Sequence, residues 1–180
     1  MSESDSNGRE AKSIARVRIT QLAADDVERL CALAGEIWRR HYADIISAAQ
    51  IEYMLAQRFN SRLLREELQR GDVWWDQLLV DGRMTGFASY VLTGYAGEMK
   101  LDKLYVHHAH QRNGYGGMLL DRVVIIARAY GCEKLVLTVN KHNRIAIAAY
   151  QKYGFRIDDS ITKDIGGGFV MDDYVMVRSL

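Results

Sequence analysis

The chain contains no proline among its 180 residues, so its turns have to be read from its 15 glycines and from short polar side chains. Cysteine is nearly absent as well. Cys31 and Cys132 each sit in an apolar setting on or beside a helical stretch, which excludes a disulfide-stapled scaffold and reads as a pair of reduced thiols in a cytoplasmic protein. Neither sign of charge dominates. With 24 basic against 23 acidic side chains the formal charge is +1, too little for a global field that would hold a polyanion, and no nucleic acid partner is expected. Long apolar runs are also lacking: "VVIIA" at 123–127 falls far short of the roughly 20 residues that cross a bilayer, so no membrane partner is expected either. The opening "MSESDSNGREAKSIAR" has no apolar core of the kind a secretory signal needs. Residues 1–14 read as a disordered tail, and 15–180 as one globular domain without repeats, linkers or low-complexity segments.

Periodicity then gives the order of elements. "ARVRIT" (15–20) alternates as a strand. Asp25 or Asp26 can cap a helix carrying Leu30, Leu33, Ile37 and Trp38 at helical spacing, "SAAQIEYMLAQRF" starts a second helix at Ser47, and "SRLLREELQR" a third from a Ser61 cap to Gly71. Two β-rich runs flank Asp81-Gly82, a pair that tolerates the positive φ of a tight hairpin. "GEMKLDKLYVHH" (97–108) adds a strand, and Leu119, Val123, Ile126 and Tyr130 mark a helix that Gly131 ends. "KLVLTVN" (134–140) is apolar on both faces, as a strand covered from two sides should be, and completes a βαβ unit with parallel strands. Asn143 caps a helix reaching Lys152, and two strands joined around "IGGG" close the chain.

"HQRNGYGGMLL" (110–120) puts three glycines within four positions where strand turns into helix. A helix start offers unpaired amides and a partial positive charge, and residues without β-carbons let a diphosphate come close to them. Neither of two better-known phosphate motifs fits. The dinucleotide fingerprint G-x-G-x-x-G meets Leu119 at its third glycine, and no G-x-x-x-x-G-K-[ST] exists. On the loop alone, a tight packing turn explains the glycines as well as a phosphate site does.

The surroundings separate the two. "QRNGYG" (111–116) fits Q/R-x-x-G-x-G/A, follows the strand "KLYV", and precedes N-x-x-A-x-x-x-Y-x-K-x-G-F at 143–155. Together these resemble the GNAT superfamily of acyl-coenzyme A dependent N-acetyltransferases. The resemblance implies an α/β fold of mixed α+β character. Its central twisted sheet would have six to seven strands flanked by about four to five helices, splayed at the acyl-CoA cleft between the strand of residues 97–108 and "KLVLTVN". It implies acetyl-CoA as co-substrate, with the pyrophosphate wrapped by Gln111, Arg112, Asn113, Gly114, Tyr115, Gly116 and Gly117. The pantetheine would pair like an added strand with Leu104, Tyr105 and Val106, and Asn143 would contact it as well as cap its helix.

The resemblance also assigns chemistry. Tyr150 matches the family tyrosine that protonates or hydrogen-bonds the departing coenzyme sulfur. A phenol near pKa 10 facing a thiol near 8.5 makes positioning as important as acidity. A main-chain amide near Leu104 or Tyr105 is the expected oxyanion donor. Freeing a lysine-like amine of its proton at pH 7 costs about 4.6 kcal/mol and an α-amine about 1.4 kcal/mol, so the acceptor decides whether a base is needed. Two-residue alternation places Glu98, Lys100, Asp102, Leu104 and Val106 on one strand face. Relatives carry a glutamate at the position of Glu98 or Lys100, which selects Glu98 as base, with Asp102 second.

"HHAH" (107–110) invites a metal reading, but His107 and His108 point to opposite sides of an extended chain and acyl transfer requires no metal, so none is expected. These histidines fit the rim of the coenzyme cleft. The "GGG" at 166–168 reads as a turn near the acceptor; the resemblance places Trp38, His41 and Tyr42 where relatives shape the acceptor pocket, with Trp38 read as core and the roles of His41 and Tyr42 left open. The function read here is transfer of acetyl to the primary amine of a small molecule or peptide. The alternative is a non-catalytic acyl-CoA sensor of the same fold. An exposed edge at the last strands is compatible with a homodimer.

Overall fold

The computed structural model describes residues 15–180, so the tail expected over 1–14 lies outside the described residues. Along the chain come β1 (Val17–Gln21), α1 (Val27–His41), α2 (Ala48–Arg58), α3 (Ser61–Leu68), β2 (Val73–Val80), β3 (Arg83–Leu92), β4 (Glu98–Val106), α4 (Tyr115–Ala129), β5 (Lys134–Asn140), α5 (Arg144–Lys152), β6 (Arg156–Gly166) and β7 (Phe169–Ser179). The seven strands form one mixed sheet in the order β1-β2-β3-β4-β5-β7-β6, with β6 at one edge. Only β4 and β5 are parallel; they are joined by α4, as the βαβ pattern predicts. Among the described residues no helix is long and apolar enough to cross a membrane.

Local chemistry explains most boundaries. Ser47 accepts from the Gln50 amide and Asn143 from the Ala146 amide, each relieving a free donor at a helix start. Asp81 at φ 50° and Gly82 at φ 80° make the β2–β3 hairpin the tight, positive-φ kind that the pair favours. Two expected caps are corrected. Asp26 stands at the start of α1, but its carboxylate accepts from Arg29 and from Gln77 rather than from a helix amide. The third helix begins one residue earlier than Ser61 suggests, because Asn60 takes the Leu63 amide at 2.8 Å. Tyr130, expected on the buried face of α4, is instead at its C-terminus and half exposed, lying against Trp74.

The sheet separates two cores. On one face, α1, α2 and α3 bring Leu30, Ile37, Trp38, Met54 and Leu64 onto Trp75 and Phe87. On the other, Leu119, Leu120, Val123, Val124 and Ala127 of α4 cover Leu78, Tyr90, Met99, Leu135 and Met176. Burial of these side chains, each worth about 1.5–3 kcal/mol, fixes both helical layers to the strands. Both cysteine thiols are free.

Candidate active site

The sheet opens where β4 and β5 part. They pair only at Glu98↔Lys134, Met99↔Leu135 and Lys100↔Val136; beyond that, β4 runs on from Leu101 to Val106 and β5 from Leu137 to Asn140 with no ladder between them. Their facing backbone groups are therefore available to a guest chain. At the same level β4 carries a bulge: Ser89 pairs with Lys103 and Tyr90 with Leu101, so Asp102 is the extra residue. The bulge corrects the expectation that alternate residues from Glu98 to Val106 share one face. Met99 and Leu101 pack toward α4, but past Asp102 the parity inverts and it is Leu104 and Val106 that do so, while Tyr105 turns to the α1 side.

The glycine loop lies at the end of β4. Gly114, at φ 79°, precedes the first turn of α4, and the first amides of that helix have no carbonyl before them to bond. Gln111 Nε2 donates to the Val106 carbonyl at 3.2 Å, and Asn113 Nδ2 donates to the carbonyls of His110 and Gln111 at 3.1 Å. These side chains thus fold inward and fix the loop, while Arg112 is exposed with φ 63°. The three glycines do different work. A β-carbon at Gly114 would meet nothing within 4 Å and at Gly116 only the Leu104 side chain at 3.9 Å, whereas at Gly117 it would lie 1.8 Å from the Tyr153 hydroxyl. Gly114 serves the turn, Gly116 keeps the approach clear, and Gly117 admits Tyr153.

Across the gap, α5 presents Asn143 and Tyr150. Asn143 is buried, caps its helix through Oδ1 and places Nδ2 2.9 Å from His41 Nε2. Donation from the amide assigns Nε2 as acceptor and leaves the imidazole proton on Nδ1; burial lowers the pKa of this histidine and keeps it neutral. Tyr150 packs edge-on against Phe155, with ring centres 5.5 Å apart. Burial raises its pKa, and Tyr42 nearby adds to the effect, so the phenol keeps its proton at neutral pH. The Tyr42 and Tyr105 hydroxyls lie 3.1 Å apart, and burial pushes Tyr105 well above the phenol range. Tyr105 and Tyr150 thus gather near Tyr42, and Asn143 joins them through His41, whose ring packs on Tyr42.

The carboxylates divide differently from expectation. Glu98 is nearly buried at the closed end of the β4–β5 pairing, with its Oε2 2.7 Å from Lys134 Nζ. Asp102 stands among three cations: Arg58 Nη2 at 3.1 Å, Lys100 Nζ at 3.2 Å and Lys103 Nζ at 2.6 Å. Burial alone would raise its pKa, but Lys103, Arg58 and Lys100 together overcome this and hold the carboxyl well below the usual carboxylate range. Both expected bases are committed to ion pairs. A cavity of about 410 Å³ opens beside them, lined among others by Tyr53, Arg58, Lys100, Thr138, Lys163 and Asp173. Tyr53, on its wall, lies against the turn of Gly166, Gly167 and Gly168, all at positive φ, and donates to the Ile165 carbonyl at 2.8 Å. Asp173 was not singled out from sequence. Its signal is a charge two residues from Met171, on the strand face that Met171 turns to the cavity.

The histidines are not splayed as an extended chain would have them. A short 3-10 turn at His108–His110 brings the His107 and His108 rings to 4.0 Å, and Glu36, His107 and His108 offer ligand atoms within 4.8 Å of one another. The hydrogen bonds make this a His–Glu pair: His107 Nδ1 accepts from the Ala109 amide at 3.3 Å, leaving Nε2 as the donor to Glu36 at 2.8 Å. His108 lines a smaller cavity with Ile37, Arg40, His41 and Gln111, beside the glycine loop.

Comparison with known proteins follows the same outline. The model of the acetyltransferase (GNAT) family matches residues 30–155. The spermidine N(1)-acetyltransferase of Thermoplasma acidophilum is 26% identical over 160 residues, spanning 87% of this chain and 96% of that protein. The spermine/spermidine N(1)-acetyltransferase of Bacillus subtilis is 29% identical over 101 residues, 52% of this chain and 65% of that one. Among solved structures, the PaiA N-acetyltransferase of Thermoplasma acidophilum in complex with coenzyme A superposes with a TM-score of 0.81 at 24% identity, covering 92% of this chain and 99% of that chain.

Proposed function

The chain belongs to the GNAT family of acetyltransferases, and from that premise we propose that it moves the acetyl group of acetyl-CoA directly onto a primary amine of a small molecule, with Tyr150 supplying the proton to the departing thiolate. One observation carries the reading: β4 and β5 separate after Lys100↔Val136, beside a helix start cleared by Gly114 and Gly116. The free amides at the start of α4 suit the pyrophosphate, and Arg112, exposed beside them, can add charge. The unpaired edge at Leu104, Tyr105 and Val106 suits the amide-bearing pantetheine arm.

In this reading the thioester carbonyl sits against a main-chain amide near Leu104 or Tyr105, where charge developing on oxygen meets a fixed donor. Tyr150 is protonated at neutral pH because burial disfavours its anion. That makes it a weak acid held in the required state, so it acts chiefly as a positioned hydrogen-bond donor to sulfur and gives up its proton as the thiolate forms. Two curated relatives are named for spermidine or spermine, which puts polyamines first in the acceptor panel. The test is coenzyme A release from acetyl-CoA across spermidine, spermine, amino acids and simple alkylamines. Release with at least one amine is expected. Binding of acetyl-CoA without release on any of them would overturn the reading.

A further inference from the structure

Acetyl transfer needs an acceptor nitrogen stripped of its extra proton, and neither Glu98 nor Asp102 is free to take it: one is held by Lys134, the other by Arg58, Lys100 and Lys103. Asp173 differs from both. It lies on β7 opposite Asn140 of β5 and Ile161 of β6, and lines the cavity that opens beside the parted strands. Its Oδ1 is buried and has no hydrogen-bond partner among the described residues. An oxygen so placed gives up its hydration without replacement, a cost that a donor arriving with the substrate would relieve. Its carboxylate is also close enough to the Tyr42 phenol, itself bonded to Tyr105, to raise that group's pKa. Asp173 therefore faces the cluster of side chains at the mouth of the gap.

We propose that Asp173 receives the acceptor's ammonium group and takes its proton, directly or through one water; this rests on the reading of the site as an amine acetyltransferase. The ammonium loses one proton to the Asp173 carboxylate, and the neutral nitrogen attacks the thioester carbon. The C–N bond forms, the C–S bond breaks, and the thiolate takes the Tyr150 proton. The surplus proton on the new amide nitrogen restores Tyr150 through water, and Asp173 releases its proton to solvent. The groups facing Asp173 are Arg58 of α2, Lys100 of β4, Lys141 after β5, Asp172 of β7 and Tyr42 beyond α1, with Lys163 and Asp164 of β6 on the same cavity wall. Burial raises its pKa, Asp172 assists, and Arg58, Lys100 and Lys141 oppose without reversing the effect. Asp173 thus holds a proton more readily than Asp102, whose cations outweigh its burial.

The experiment compares wild type, D173N and D173E using spermidine and an electron-poor amine already unprotonated at pH 7, with kcat/KM followed from about pH 6 to 9 and acetyl-CoA binding measured by calorimetry. For D173N we expect a loss of about 100-fold with spermidine near neutrality, shrinking as pH rises, little loss with the electron-poor amine, and unchanged acetyl-CoA affinity. D173E should keep partial activity with a displaced acid limb. A D173N deficit equal at every pH and for both amines, or no deficit, would overturn the assignment. If D173N does not fold, a D173E enzyme with wild-type rate and pH profile overturns it equally. Wild type that binds acetyl-CoA yet acetylates neither amine defeats the acetyltransferase reading itself, and this inference with it.

Discussion

Tyr150 and Asp102 show how one property, burial, leads to opposite outcomes for two side chains. Burial, with Tyr42 nearby, keeps the Tyr150 phenol protonated. Replacing it by phenylalanine preserves the contact with Phe155 and removes only the hydroxyl. Y150F should therefore lose about 100-fold in kcat with little change in acetyl-CoA affinity, as rapid-mixing and calorimetric measurements can separate. Asp102 is kept ionised by Lys103, Arg58 and Lys100, and its removal would take from Lys103, which is nearly buried over the Trp75 ring, its ion-pair partner. D102N should cost about 3 kcal/mol in urea unfolding at neutral pH. The sign of its pH dependence is fixed by a folded pKa below the unfolded one of about 3.9: the stabilisation is fully present above that value and disappears as pH falls toward the folded pKa. Wild type should accordingly lose stability on acidification more steeply than D102N.

At the scale of the element, the strand-loop-helix unit of β4 and α4 was readable because its signals are local. Apolar spacing predicts α4, the loop pattern places Gly114 ahead of its first turn, and Asn143 as cap marks α5. The bulge at Asp102 was not readable. It exists because β4 pairs out of step with Ser89 and Tyr90 of β3, and nothing within β4 announces that, so strict alternation misassigned Leu104 and Val106. Gly117 is a similar case, since its reason is Tyr153, at the far end of another helix. The glycines give a paired prediction. G116V meets only the Leu104 side chain, at ordinary contact distance, so its melting temperature should stay within a degree or two of wild type while acetyl-CoA affinity falls about tenfold or more. G117A meets the Tyr153 hydroxyl and should lower stability by about 1 kcal/mol, a loss that Y153L restores in the double variant.

For the whole molecule, mixed α/β class, strand content and the splay between the fourth and fifth strands were all implied by the resemblance, and the seven-stranded sheet has them. The cavity proposed to take the acceptor was the part that stayed hidden. Its wall is assembled from α2, β4, β5, β6 and β7, and a carboxylate such as Asp173 becomes conspicuous only once β7 is inserted between β5 and β6 and its oxygen is found without a partner.

The parting of β4 from β5 also interrupts the sheet between its two faces. The glycine loop and α4 stand on one side of it and the cavity under α2 on the other. Two reactants can then enter from opposite directions and be present together, neither waiting for the other to leave. Double-reciprocal initial-velocity plots should intersect rather than run parallel, and an inhibitor made by tethering an amine to the coenzyme's sulfur should reach both compartments at once, competing with each reactant.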